Sequence, residues 1–189
     1  GIDSLPRRSA QTAIYEILSA ITRLLAPILA FTADEVWQVM PHVSTDDKRN
    51  VLLNEMPGEV MSFTEIEEKY NALFNLRDTV MKALELARTA KTIGKSLDAK
   101  LTIYAQGETK ALLESFGDEL STIFIVSGVT VTDATAPEGA YCNEENTLGV
   151  LVETADGEKC DRCWSYSTEG DATEDGGFIC ERCKKILGC

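Results

Sequence analysis

Basic charge is scarce in this 189-residue chain, where 18 Lys and Arg face 31 Asp and Glu for a formal net charge of −13. That balance argues against a generic polyanion binder and favours solubility by self-repulsion. Histidine is scarcer still. His42, beside Pro41, is the single imidazole, so acid–base catalysis and any Ser/His/Asp or Cys/His set lack their usual proton carrier. The longest charge-free stretch, Leu120 to Thr132, is 13 residues, whereas a membrane span needs about 18 to 20. There is no Asn-x-Ser/Thr acceptor and no apolar signal segment, so the six cysteines read as reduced thiols of a cytoplasmic protein, not as a disulfide framework. The chain opens Gly1-Ile2-Asp3 and is expected to be a piece of something longer. Gly94-Lys95-Ser96 is no phosphate loop, because that motif needs a Gly five positions earlier and Thr89 stands there.

What basic charge exists is concentrated. Arg77, Lys82, Arg88, Lys91, Lys95 and Lys100 fall within 24 residues that hold only three acids, whereas residues 101–159 hold two bases and eleven acids. Two readings follow. The segment is either a track for a phosphate backbone or a solvated helix face on which Asp78 and Glu85 supply intrahelical pairs.

Ile14, Ile17, Leu18, Ile21, Leu24, Leu25 and Ile28 recur at three and four, predicting an amphipathic helix from Ala10 to Leu29 that Pro27 kinks or ends. Thr32-Ala33-Asp34-Glu35 reads as a capping box for a short helix that carries Trp37 and stops at Pro41. The connection over 41–63 has one strand-like run, Val51-Leu52-Leu53. A second capping box, Thr64-Glu65-Ile66-Glu67, opens a long helix whose stripe runs from Ile66 through Leu73, Val80 and Leu84 towards Gly94. Three such helices predict an all-α bundle over residues 1–97. Past Gly94, Leu101 to Tyr104 alternates as a strand, Thr109 to Phe116 suits a short helix, and β-branched runs stand at 123–126, 129–131 and 150–152. These predict a small α+β domain over 98–157, with Pro137 to Asn146 as a solvated acidic loop.

Residues 158–189 carry the strongest motif. Cys160-Asp161-Arg162-Cys163 and Cys180-Glu181-Arg182-Cys183 give C-x2-C-x16-C-x2-C, a spacing that presents four sulfurs to one tetrahedral Zn²⁺ in a ribbon or knuckle. Four protein ligands close the site, so the metal is expected to be structural, replacing a core that so short a segment cannot supply. An iron–sulfur cluster is the other occupant that four cysteines accept. With zinc bound the formal charge becomes about −15. Cys142 and Cys189 lie outside the spacing. Trp164, directly after the second ligand, is either an apolar lid over the sulfurs or an exposed stacking platform.

Three stretches together resemble one family. They are Leu24-Leu25-Ala26-Pro27-Ile28-Leu29-Ala30-Phe31-Thr32-Ala33-Asp34-Glu35-Val36-Trp37, the segment from Lys82-Ala83-Leu84-Glu85-Leu86-Ala87-Arg88 to Ile93-Gly94-Lys95-Ser96-Leu97, and Lys159-Cys160-Asp161-Arg162-Cys163-Trp164. In this order they are similar to the C-terminal region of bacterial isoleucyl-tRNA synthetases. The resemblance implies a helical anticodon-binding domain, a junction domain and a zinc module that hold the anticodon stem-loop of the isoleucine tRNA. It also implies that the parent's adenylate-forming and editing domains are missing, so that this segment binds while the rest performs ATP-dependent ligation. Joined to the charge pattern, it makes Arg77, Lys82, Arg88, Lys91 and Lys95 the candidate phosphate track, and Arg162 and Trp164 the candidate loop contacts. Two competing classes stand beside it: a zinc-ribbon module for protein or duplex DNA, and an acidic scaffold that only stabilises its parent.

Overall fold

The computed structural model describes residues 3–58 and 62–188, in two compact units, Gly1–Ser62 and Phe63–Cys189. In the first unit, α1 (Leu5–Leu25) and α2 (Ala30–Val39) are followed by a 3₁₀ turn at Val51–Leu53. Trp37, fully buried, centres its core with Ala26, Ala33, Met40 and Val51, and its indole N–H donates to the Asp47 carbonyl at 3.0 Å. His42 packs on that indole at 4.8 Å between ring centroids and faces Asp46 at 3.6 Å, the structural role of a helix-end residue.

Three local expectations change here. The buried residues of α1 are Ser19 and Thr22, while Ile14 of the apolar stripe is 65% exposed. Burial of these hydroxyls is tolerable because Thr22 donates to the Leu18 carbonyl at 2.7 Å and Ser19 accepts from Arg23 at 2.9 Å. Helix α2 starts at Ala30, two residues before the expected cap, because the Ala33 N–H already reaches the Leu29 carbonyl at 2.8 Å. The strand-like Val51-Leu52-Leu53 coils into 3₁₀ because the Asn50 side chain accepts from the Leu52 N–H and the Asp34 carboxylate accepts from the Val51 N–H.

In the second unit, α3 (Thr64–Thr89) precedes β1 (Ala99–Ala105), α4 (Gly107–Glu114), α5 (Glu119–Phe124), β2 (Gly128–Thr132), β3 (Tyr141–Cys142) and β4 (Leu148–Thr154). The sheet order is β2-β1-β4-β3, with β1 parallel to β2 and antiparallel to β4. A parallel neighbour requires a crossover, which α4 and α5 supply. Strand β1 buries alternate residues, Ala99, Leu101, Ile103 and Ala105. Helix α3 covers this core with Leu73, Val80, Ala83 and Leu84, so the buried side of the helix that the sequence groups with α1 and α2 belongs to the core of the sheet. The β-branched run at 123–126 is a helix end: the Val126 N–H closes on the Ser121 carbonyl at 2.9 Å and turns Ile125 to φ 58.

Residues 158–187 add the short strands β5 (Glu158–Lys159), β6 (Tyr166–Ser167), β7 (Gly170–Ala172) and β8 (Phe178–Cys180), paired as two ribbons, and α6 (Glu181–Leu187). The architecture is thus α+β: helices, small sheets and a cysteine cluster. Among the described residues no helix is long and apolar enough to cross a membrane.

Candidate metal centre and basic surface

The two knuckles converge. Their four Sγ atoms lie within 4.8 Å of one another, and Cys163 and Cys180 are 3.7 Å apart. A tetrahedral site with metal–sulfur bonds of about 2.3 Å sets sulfurs about 3.8 Å apart, so the Cys163–Cys180 separation already fits a four-coordinate ion and the widest separation in the set would close by about 1 Å around it. Local backbone chemistry prepares it. Burial pushes the Cys160 thiol up, but the N–H groups of Cys163, Cys180 and Arg162 overcome this and bring it down to about 6. The Cys180 N–H contributes at 3.4 Å. Burial dominates at Cys180, which rises to about 12 despite the Cys183 N–H. A cluster in which one thiol ionises readily and another resists is one where a bound cation supplies the remaining drive to ionise.

Close approach between the knuckles has a price in side chains: a Cβ on Gly177 would strike the Asp161 carboxylate, which accepts from the Phe178 N–H at 3.2 Å. Phe178 and Ile179 provide the apolar packing around the sulfurs. Trp164 directly follows the second cysteine of the first knuckle. It is 62% exposed, and the donation of its N–H to the Cys160 carbonyl at 2.8 Å accompanies a left-handed φ of 64. Of the two expected roles, an indole this exposed is what the platform requires. Arg162 sends Nη1 to Cys183 Sγ at 3.5 Å. Cys142 is half-buried on β3, and Cys189 lies outside the described residues.

The basic segment does not behave as an ion-paired helix face. Arg49, Lys100, Lys110, Lys184 and Lys185 each meet a carboxylate. Among the described residues, Arg77, Lys82, Arg88, Lys91 and Lys95 make no ion pair, and the expected partnership with Asp78 and Glu85 does not form. Lys82, Lys91 and Lys95 are exposed; Arg77 and Arg88 are half-buried. At 3.6 residues per turn, Arg77 and Arg88 share a side of α3, while Lys82 lies roughly a third of a turn away. Its ammonium stands 5.6 Å from the Tyr141 ring centre. Arg88 donates to the Ser96 hydroxyl at 2.5 Å, bracing the turn that carries Lys91 and Lys95. Lys91 itself is left-handed, φ 61, in the position after the helix end that glycine usually fills.

A residue outside the candidate site residues, Ser127, links the turn before β1 to the cysteine module. Ser127 donates to the Leu97 carbonyl at 2.5 Å and accepts from the Tyr166 N–H at 2.7 Å. The basic turn, two residues before Leu97, and Trp164, two residues before Tyr166, are therefore held to the same hydroxyl.

Residues 1–103 match the family described as the anticodon-binding domain of tRNA ligase. The chain is similar to the isoleucine-tRNA ligase of Syntrophotalea carbinolica, 47% identical over 191 residues that cover 99% of this chain. It is 41% identical over 187 residues to that of Desulforamulus reducens, covering 97% of the chain, and 42% identical over 193 residues to that of Bacillus mycoides, covering 99%. In each case the chain spans 20% of the length of the curated relative.

Proposed function

The chain belongs to the family of tRNA-ligase anticodon-binding domains, and on that footing we propose that it is the tRNA-binding part of an isoleucine-tRNA ligase. Its ligand is the anticodon stem-loop of the isoleucine tRNA. The cytoplasmic parent supplies adenylate formation, ATP-dependent ligation and editing from its remaining length, and its catalytic body is the second partner. The observation that carries this reading is the concentration of Arg77, Lys82, Arg88, Lys91 and Lys95 in one stretch of a chain of net charge −13, none of them in an ion pair among the described residues. Unpaired surface cations are what a phosphate backbone takes up.

In this proposal residues 1–97 act as the helical anticodon-binding bundle, 98–157 as the junction and 158–189 as a zinc ribbon. Lys and Arg of the basic segment hold the backbone, Trp164 stacks on an unpaired base, and the free donors of Arg162 reach the loop. The exposed, left-handed Trp164 supports the stacking role, since a strained non-glycine residue is retained where its side chain is used. Cys160, Cys163, Cys180 and Cys183 would hold one Zn²⁺. The metal supplies no reaction chemistry there; it ties the two knuckles together and fixes the loop that presents Trp164.

The test compares binding of the chain to the isoleucine anticodon stem-loop and to a duplex DNA of equal charge. Preference for the stem-loop supports the proposal. Equal affinity would favour a zinc module for duplex DNA, and no binding to either would favour a scaffold.

A further inference from the structure

A groove of about 340 Å³ runs between the last turns of α3 and the β3–β4 side of the sheet, at the lower end of the range for small-ligand pockets. Its walls are apolar: Ala83, Ala87 and Ala90 of α3 stand against Tyr141, Val150 and Val152. Alanines on the helix leave the space that longer side chains would fill. Among the described residues no charged side chain lines the groove. The Thr154 hydroxyl donates to the Thr92 carbonyl at 3.2 Å, tying the loop after α3 to β4.

The groove also meets an open sheet edge. The Ala155 N–H reaches the Asp98 carbonyl on the β1 side at 2.7 Å, and the Leu148 carbonyl accepts from the Asn143 N–H on the β3 side at 3.0 Å. Backbone groups of successive strand residues point alternately to the two neighbours, so Val152 turns its N–H and C=O to the β3 side. Strand β3 pairs only through Tyr141 with Val150 and Cys142 with Gly149, so among the described residues no strand stands opposite Val152. One donor and one acceptor are left side by side at the groove.

Cations stand at both ends of its helical wall. Lys82 precedes Ala83 and holds its ammonium 5.6 Å from the centre of the Tyr141 ring, while Lys91 lies between Ala90 and Thr92. Both are exposed, and neither is in an ion pair among the described residues. An apolar slot with an aromatic ring, a free donor and acceptor, and flanking positive charge complements an unpaired nucleotide. An added peptide strand bonds through several residues of an edge, and past β3 only Val152 and Thr154 of β4 face that way. Resting on the reading of this chain as an anticodon stem-loop binder, we propose that the groove holds one unpaired base of the loop, other than the one given to Trp164. Tyr141 is its contact ring, the Val152 N–H and C=O meet its edge, and Lys82 and Lys91 take the flanking phosphates.

The test measures binding of the 189-residue chain to the isoleucine anticodon stem-loop and repeats it with Tyr141→Leu, Tyr141→Phe, Ala90→Leu and Lys82→Gln. Tyr141→Leu removes the ring and keeps apolar bulk; affinity is expected to fall about 5- to 150-fold, as for one lost base stack. Tyr141→Phe keeps the ring and should bind within about twofold of the unaltered chain. Ala90 is exposed at the end of α3, so Ala90→Leu fills the groove without entering the core and should weaken binding by a similar factor. Lys82→Gln should make the salt slope shallower by about one. A cycle locates the base: an abasic site is placed at each loop position in turn, against the unaltered chain and against Tyr141→Leu. At one position the two losses should fail to add, because they remove the same contact. Losses that add at every position, or affinity equal to the unaltered chain in both Tyr141→Leu and Ala90→Leu, would overturn the inference while leaving stem-loop binding standing. Unchanged stem-loop affinity with weaker binding of the catalytic body in those two variants would overturn it in favour of a protein segment. Failure of the unaltered chain to bind the stem-loop would overturn both readings.

Discussion

The Tyr166 N–H donates to the Ser127 hydroxyl at 2.7 Å, across 39 residues of sequence. The same hydroxyl donates to the Leu97 carbonyl, so one oxygen joins the β6 ribbon of the cysteine module to the turn before β1. Ser127→Ala removes a donor and an acceptor and leaves a half-buried N–H unsatisfied. The expected cost is about 1 to 3 kcal/mol, read as a lower urea midpoint, with zinc content unchanged because no ligand is touched. An unchanged midpoint would mean that water replaces the hydroxyl without loss.

Trp164 allows strain and contact to be separated. Glycine tolerates φ 64 without the penalty that a tryptophan pays there. Trp164→Gly is therefore expected to keep zinc and to melt no lower than the parent chain. Stem-loop affinity should fall by about 5- to 150-fold, the equivalent of about 1 to 3 kcal/mol for one lost stack. Loss of zinc in this variant would return the indole to a structural role.

Lys91 poses the same question at the end of α3. Its N–H reaches the Arg88 carbonyl at 3.0 Å and the next N–H, of Thr92, reaches Ala87 at 2.9 Å, a closure that favours glycine at position 91. Lys91→Gly should stabilise the chain by about 1 kcal/mol, measured by urea unfolding. With three or four phosphates contacted, the log–log slope of binding against salt should be about −2 to −3 for the parent chain, and shallower by about one in the variant. A slope unchanged by the substitution would remove Lys91 from the phosphate track.

Removal of the metal should be felt locally. The strands β5 to β8 are two or three residues each, and the core around the four cysteines is small. Chelation is expected to abolish amide-exchange protection over 158–187 while β1 and β4, held by Leu101, Ile103 and Val150, keep theirs. Equal protection with and without chelator would mean that the ribbons fold on apolar contacts alone.

The parts of this account that were legible in the sequence are those with a short-range cause. The 2-16-2 cysteine spacing places four sulfurs together because each knuckle is a local turn, and the alternation of Leu101 to Tyr104 reports a strand buried on one face. Context decided the others. Ile123 to Val126 has strand composition but ends a helix, because the closure onto Ser121 and Thr122 outweighs β-branched preference. The apolar stripe of α1 predicted its buried face, yet Ser19 and Thr22 lie inward with their hydroxyls satisfied locally. Charge counts located the basic segment but not which of its cations pair: among the described residues Lys100 meets Asp156 while Arg77, Lys82, Arg88, Lys91 and Lys95 meet no carboxylate, which depends on side-chain reach. The contacts of Ser127 and that of Arg162 with Cys183 carry no one-dimensional signal, because their partners lie 21 to 39 residues away.

The most direct test of the central claim measures affinity of the chain for the isoleucine anticodon stem-loop and for one with a changed anticodon, each with and without a zinc chelator. The account predicts tighter binding to the isoleucine loop, with the preference lost on chelation because Trp164 and Arg162 sit in the metal-held knuckle. Equal affinity for the two loops, or a preference that survives removal of the metal, would contradict it.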